Sequence, residues 1–329
     1  MRVLHGLNNL AHGERPRAIC VGAFDGFHLG HQYLLNRVCA LAHERDYESG
    51  LVTFEPVPAQ FFAPPGQAPR RLITLSERVA LAESLCCDLM AIVEFGADLA
   101  SWPAARFIEQ VLAAGLGTRL LIASSTHTMG HDRADIAQIT EICAQFGIEV
   151  VSLPMLQLEV LQISSSAIRE ALWQGRVEDA NTMLGRHYSL TGPVVPGRGV
   201  GRELGFPTAN LQQPPEKLIP KEGVYAGIAT DETPGQEPRS WPAAVSIGVA
   251  PTFEPDLGML IEAHVLTDEA LELVGRTLRL EFVRYLREQR KFESPEALSQ
   301  QIAVDVQTTR ELCHTLAAGG SAAPLCARD

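Results

Sequence analysis

The stretch that most constrains this chain is Val21-Gly-Ala-Phe-Asp-Gly-Phe-His-Leu-Gly-His-Gln32. The apolar run from Ala18 to Val21 predicts a buried strand, which breaks at Gly22 and Gly26. From His31 a helical pattern puts Leu34, Leu35, Val38 and Leu41 on one face. A strand, a glycine turn and a helix start make the usual geometry of a phosphate site, because free backbone N–H groups and the helix dipole converge there. His28 and His31 bracket Gly30, so both imidazoles can stand at the helix mouth beside a bound phosphate. They can donate to its oxygens and, when protonated, offset charge that develops in a transition state. Gly22, Phe24 and Gly30 complete the candidate phosphate-binding set. A pair of surface histidines beside a turn would read the same way locally, so the pattern needs its context.

Strands and helices alternate through the first half. Gly50–Pro56 reads as a strand, Phe61–Arg71 as a long proline-rich loop, and Glu77–Cys87 as a helix. Strand Leu89–Phe95, helix Pro103–Ala114, strand Arg119–Ala123, helix Ala134–Phe146 and strand Ile148–Leu153 follow. The alternation predicts a parallel sheet covered by helices on both faces, with ligands at the carboxyl ends of its strands. Ile163-Ser-Ser-Ser-Ala-Ile-Arg169 then opens another helix. Its serines can cap free N–H groups. Ser165 and Ser166 can equally hold phosphate oxygens, with Arg169 adding a planar fork for the same anion.

Near Gly185 the character changes. Ser189–Val195, Gly223–Thr230, Ala243–Val249, Leu260–Leu266 and Leu278–Tyr285 are β-type runs without helices between them, which predicts an antiparallel barrel or sandwich. A closing helix starts at Ser294-Pro295 and carries Leu298, Ile302 and Val306 on one face. The tail from Ala317 reads as disordered. Within this half, Gly197, Gly199, Gly201 and Gly205 let backbone N–H groups approach a polyphosphate, although a flexible hairpin would have the same composition. Thr208 and Asn210 lie two apart on an extended segment and share a face. A hydroxyl and an amide oxygen side by side are hard ligands suited to magnesium.

His28-Leu-Gly-His31 resembles the signature of nucleotidylyltransferases, and Ser164-Ser-Ser-Ala-Ile-Arg169 the motif that holds the ATP tail in that class. Taken with Leu184-Gly-Arg-His-Tyr-Ser-Leu-Thr-Gly192, Gly205-Phe-Pro-Thr-Ala-Asn210 and Glu262-Ala-His264, the chain is similar to the bacterial bifunctional riboflavin kinase/FAD synthetases, from about Ala18 to about Arg310. The resemblance implies a Rossmann-like nucleotidyltransferase domain with a parallel sheet over 1–184. It implies an antiparallel β-barrel riboflavin kinase domain with a closing helix over 185–329. Riboflavin, FMN and ATP would be the substrates and Mg2+ the metal, held at Thr208 and Asn210. Glu262 would be the kinase's catalytic carboxylate, though by itself it reads as a glutamate on the outer face of an alternating strand. His28 and His31 would serve adenylyl transfer.

The sequence departs from that family in one informative loop. Ser124-Ser-Thr-His-Thr-Met-Gly-His-Asp-Arg133 lacks the two phenylalanines and the acidic or amide residue usual there. Thr126, Met129 and Arg133 remain as its candidate flavin contacts. Stacked aromatic pairs contribute about 0.5–1.5 kcal/mol beyond burial, so the loop alone predicts weak FMN binding unless another segment, such as the Phe61–Pro69 loop, takes over. Ala23, Ala250 and Val274 are further departures. Two other functions stay open: a riboflavin kinase with an inactive adenylyltransferase domain, and a flavin-binding regulatory protein.

Composition narrows the setting. A length of 329 residues, 46% of them hydrophobic, suits about two globular domains. The formal net charge of −12 argues against a general nucleic-acid binder. Seven cysteines without a Cys-x-x-Cys pair read as thiols in a reducing compartment. Met1–Leu10 lacks the apolar core of a signal peptide, and no run reaches the ~18 residues of a membrane span. The expectation is a cytoplasmic enzyme with no membrane partner; a homo-oligomer stays open.

Overall fold

The computed structural model describes residues 1–158, 161–197, 200–212, 215–249 and 259–318. Gly199, Ala250 and most of the tail after Ala317 lie outside the described residues. The chain divides into two compact units, one built from residues 1–165 and the other beginning at Ser166.

The first unit holds a six-stranded sheet in which every neighbouring pair is parallel. Its strands are β1 (Arg2–His5), β2 (Arg17–Val21), β3 (Glu48–Glu55), β4 (Leu89–Glu94), β5 (Thr118–Ser124) and β6 (Glu149–Leu153), in the order β1-β4-β3-β2-β5-β6. Successive side chains of a strand point to opposite faces, and the apolar residues divide accordingly. Ile19, Val21, Val52, Ala91 and Leu121 pack on one side against Phe107, Val111, Ile139 and Cys143. Ala18, Cys20, Leu51, Met90 and Leu120 pack on the other against Leu35, Val38, Leu41 and Ala82. A sheet buried on both faces needs the near-continuous apolar strands that the sequence shows.

The covering helices are α1 (Leu29–Glu44), α2 (Leu75–Ser84), α3 (Ala104–Phe107, running into a wider turn over Ile108–Ala113) and α4 (Ile136–Gln145). Side-chain caps fix the first residues of α1, α2 and α4, which shifts these starts from the sequence-based bounds. His28 caps α1, so the helix starts at Leu29 and Gly30 lies inside it. Thr74 and Glu77 close a reciprocal capping box at α2, and Asp135 and Gln138 do so at α4. Leu35, Val38 and Leu41 are buried as expected, whereas Leu34 is half-buried. A short turn, Pro58–Phe61, occupies the start of the expected proline-rich loop. Cys20, Cys39, Cys87, Cys143 and Cys313 are free thiols. Cys86 departs from the thiol reading: it is disulfide-bonded. It is half-buried at a left-handed φ of 59°, while its neighbour Cys87 is buried in the core.

A small antiparallel hairpin, β7 (Gln157–Leu158) with β8 (Leu161–Gln162), leads into α5 (Ser165–Trp173) and α6 (Val177–Leu184). Of the two antiparallel architectures left open by the sequence, the second unit is a closed barrel. Its strands are β9 (Tyr188–Val195), β10 (Ala209–Leu211), β11 (Gly223–Asp231), β12 (Arg239–Val249), β13 (Met259–Val265) and β14 (Thr277–Arg287), ordered β10-β13-β12-β11-β14-β9. Leu190, Tyr225, Val245, Ile247, Ile261, Leu280 and Phe282 are among its buried residues. The helix α7 (Pro295–Ala318) is capped by the Ser294 hydroxyl, which accepts from the Ala297 N–H at 3.2 Å. Val306 and Ile302 pack on Ala244, Leu266 and Phe206. The Arg287 guanidinium grips the nearly buried Asp305 carboxylate with bonds of 2.7–3.1 Å. Among the described residues no helix is long and apolar enough to cross a membrane.

Candidate active sites

Strand order reverses direction between β2 and β5, and a crevice at the carboxyl ends of such strands is where open α/β sheets take ligands. Two cavities stand there. The turn after β2 is rigid: Phe24 and Phe27 adopt left-handed backbone (φ 49° and 45°) and are fully buried, their rings stacked with centroids 5.5 Å apart. The buried Asp25 carboxylate accepts from the N–H groups of Leu72 (3.0 Å) and Ile73 (3.4 Å). Ser165 donates its hydroxyl to the Asp25 carbonyl at 2.7 Å. Ser166 is exposed on α5 and Arg169 is buried one turn on. Beneath the turn, fully buried Arg78 donates to the Thr53 hydroxyl (3.1 Å), which donates to the Ala23 carbonyl (3.1 Å).

The imidazoles of His28 and His31 stack with centroids 3.7 Å apart and planes 15° apart. His28 Nδ1 accepts from the His31 backbone N–H at 3.3 Å, so the neutral ring carries its proton on Nε2. A Cβ at position 30 would lie 3.2 Å from the His28 ring; glycine there gives the imidazole its room. The first cavity, of about 330 Å³, is lined by Gly22, Phe24, His28, Gly30, His31 and Ser124, with others from the segment after β6. The structure thus brings together the five candidates of the glycine turn.

The second cavity, of about 290 Å³, is walled by Phe54, Phe62, Phe95, Trp102, Phe107 and Met129. Val21, Gly22, Ala23 and His127 line both cavities. Burial holds the His127 imidazole below its ordinary pKa. Of the altered loop's candidates, Met129 lines the second cavity, while Thr126 and Arg133 line neither. Thr126 instead meets the Ser124 hydroxyl at 3.4 Å and the Met155 sulfur at 3.2 Å. The loop is pinned at the start of α3. Asp132 accepts from the Ala104 N–H (3.0 Å), His131 N–H donates to the Trp102 carbonyl (2.9 Å), and a Cβ on Gly130 would lie 2.2 Å from the Ala104 nitrogen. No group of three His, Cys, Asp or Glu among the described residues could hold a metal ion. The aromatic walls went unread in the sequence because they come from four separate segments; only Phe62, in the proline-rich loop, carried a signal.

The barrel has its own constellation. Asn210 on β10 pairs directly with Glu262 on β13. Glu262 and His264 share the face opposite buried Ile261, Ala263 and Val265. Among the described residues the Glu262 carboxylate has no hydrogen bond or ion pair. His264 was unassigned beyond its motif; its Nδ1 lies 2.8 Å from the Pro207 carbonyl and its ring 5.4 Å from that of Phe206. It thereby anchors the segment that carries Thr208 and Asn210. The glycines are explained by contact: a Cβ at Gly197 would lie 2.0 Å from the Asn210 amide nitrogen, and one at Gly201 2.4 Å from the Phe206 carbonyl and 3.4 Å from the Thr208 hydroxyl. Gly205 has φ 85°, a left-handed turn. Gly197→Ala is therefore expected to displace the Asn210 side chain with the melting temperature little changed; a crystal structure of the variant beside thermal unfolding checks it, and an unmoved Asn210 would contradict it.

With this geometry established, comparison with known proteins is direct. Residues 11–167 match the family described as FAD synthetase, and residues 184–313 the family described as riboflavin kinase. A Pseudomonas fluorescens bifunctional riboflavin kinase/FMN adenylyltransferase is 36% identical over 95% of this chain and 98% of its own length. The protein of that name from Escherichia coli K12 is 31% identical over 94% of this chain and 97% of its own length. A crystal structure from Streptococcus pneumoniae, described as a macrolide-efflux protein, shares the fold with a TM-score of 0.82 at 25% identity, covering 94% of this chain and 98% of that one. Family models over both halves and relatives matched almost end to end agree: the chain belongs to the bifunctional riboflavin kinase/FMN adenylyltransferase family.

Proposed function

We propose that the two reactions of this family are carried by separate regions of the chain, adenylylation of FMN by residues 1–184 and phosphorylation of riboflavin by residues 185–329. The observation that supports this is that both cavities are lined from residues 1–165 alone, whereas the Asn210–Glu262 pair belongs to the barrel. ATP is the co-substrate of both. In the barrel, Glu262 takes the proton from the ribityl hydroxyl as it attacks the γ-phosphate, and the glycine turn that includes Gly197, Gly199, Gly201 and Gly205 receives the polyphosphate. Thr208 and Asn210 offer a hydroxyl and an amide oxygen, hard donors that fit Mg2+. The ion, when bound, would neutralise charge on the phosphates. In the first unit, the triphosphate lies in the cavity with His28, His31 and Gly30. The isoalloxazine stacks in the aromatic cavity beside Met129. Cytoplasmic location remains the reading for an enzyme that consumes ATP and riboflavin.

Incubation of the chain with riboflavin, ATP and Mg2+, followed by separation of flavins, tests the reading. FMN then FAD is the expected order of products. FMN alone would show that the first unit is inactive, and neither product would contradict both assignments. Phe62→Ala should raise the apparent KM for FMN about tenfold, the scale of one lost aromatic contact, with the ATP constant unchanged. Equal FMN constants would remove the flavin from the second cavity.

A further inference from the structure

We propose that His127 contacts the reacting phosphates of adenylyl transfer, donating a hydrogen bond where the FMN phosphate meets the α-phosphorus of ATP. The proposal rests on the reading of the first unit given above. Four residues line both cavities, and among Val21, Gly22, Ala23 and His127 only the last has a polar side chain. Among the described residues the imidazole has no hydrogen-bond partner, so its N–H is available to a ligand. Its position is fixed from both sides. His127 N–H donates to the Ser124 carbonyl at 3.0 Å, and the loop beyond is held to Ala104 through Asp132.

In the transfer an oxygen of the FMN phosphate forms a bond to the α-phosphorus. The bond from that phosphorus to the bridging oxygen breaks, and pyrophosphate leaves with the electron pair. No proton need pass to His127. Negative charge gathers on the non-bridging oxygens, and a donor held there stabilises it. Burial favours the neutral imidazole, which still offers one N–H. The same contact would hold the phosphate that distinguishes FMN from riboflavin.

The test measures kcat and KM for FMN and for ATP in FAD formation by the full chain and by His127→Phe, His127→Ala and His127→Gln, with riboflavin phosphorylation as the control for folding. Phe fills the site without a donor, and Gln restores an N–H. We expect kcat/KM for FMN to fall about tenfold or more in the Phe and Ala variants, the scale of one hydrogen bond to a charged group. The Gln variant should recover most of the loss, and kinase activity should hold in all three. A Phe variant as active as the natural chain, or with a lower KM for FMN, would overturn the proposal and make position 127 a stacking position. A Gln variant as poor as Phe would overturn the donor role. A natural chain that phosphorylates riboflavin yet makes no FAD from supplied FMN would instead sink the reading of the first unit, and this proposal with it.

Discussion

Glu262→Gln is expected to lower FMN formation from riboflavin at least about a hundredfold, the usual scale for loss of a general base. FMN supplied from outside should still be converted to FAD. The substitution keeps the shape of the side chain but removes its capacity to accept a proton. No described residue bonds the carboxylate, and its strand is held by pairing to Ser246 on one side and Asn210 on the other, so loss of fold is not the expected outcome. A variant with near-normal FMN formation would show that the base lies elsewhere. Asn210→Ala would then report whether the β10–β13 face holds substrate at all.

The second large effect belongs to the histidine pair. His28→Ala with His31→Ala should abolish FAD synthesis while riboflavin phosphorylation continues. The stacked rings line the first cavity and supply its only two imidazoles apart from His127 among the described residues. His28 also caps α1, and losing a cap costs about 1 kcal/mol of stability. His28→Asn keeps a capping oxygen without an imidazole. FAD synthesis should be lost there too, with the melting temperature preserved. An Asn variant that still makes FAD would reduce His28 to a cap.

Much of the fold was legible because period and punctuation agreed. The apolar strands β2 to β6 and the barrel strands β9 and β11 to β14 are long enough for their patterns to register. Strand β10 was not, since three residues after Pro207 give no period to read. The edge strand β1, only four residues, was missed for the same reason. Helix α3 ends in a wider turn that blurs the 3.6-residue pattern. At the sites, the residues clustered in sequence, His28 with His31 and Thr208 with Asn210, could be named in advance. The facing of Asn210 by Glu262 is a matter of register between strands far apart in the chain. The aromatic cavity is a matter of loops. The altered loop alone leads one to expect weak FMN binding; Phe54, Phe62, Phe95, Phe107 and Trp102 line a cavity beside it with aromatic surface from other segments, and the apparent FMN constant decides between the two.

Complementation of the two variants tests the separation of sites most directly. Glu262→Gln and the His28→Ala, His31→Ala double variant are each given riboflavin, ATP and Mg2+, then mixed. Neither alone should produce FAD. The mixture should, because FMN released by the histidine variant's barrel is adenylylated by the other's first unit. Failure of the mixture, with each variant retaining its own single reaction on supplied substrate, would mean that FMN does not pass freely between chains. Loss of both activities in either folded variant would contradict the account of two sites.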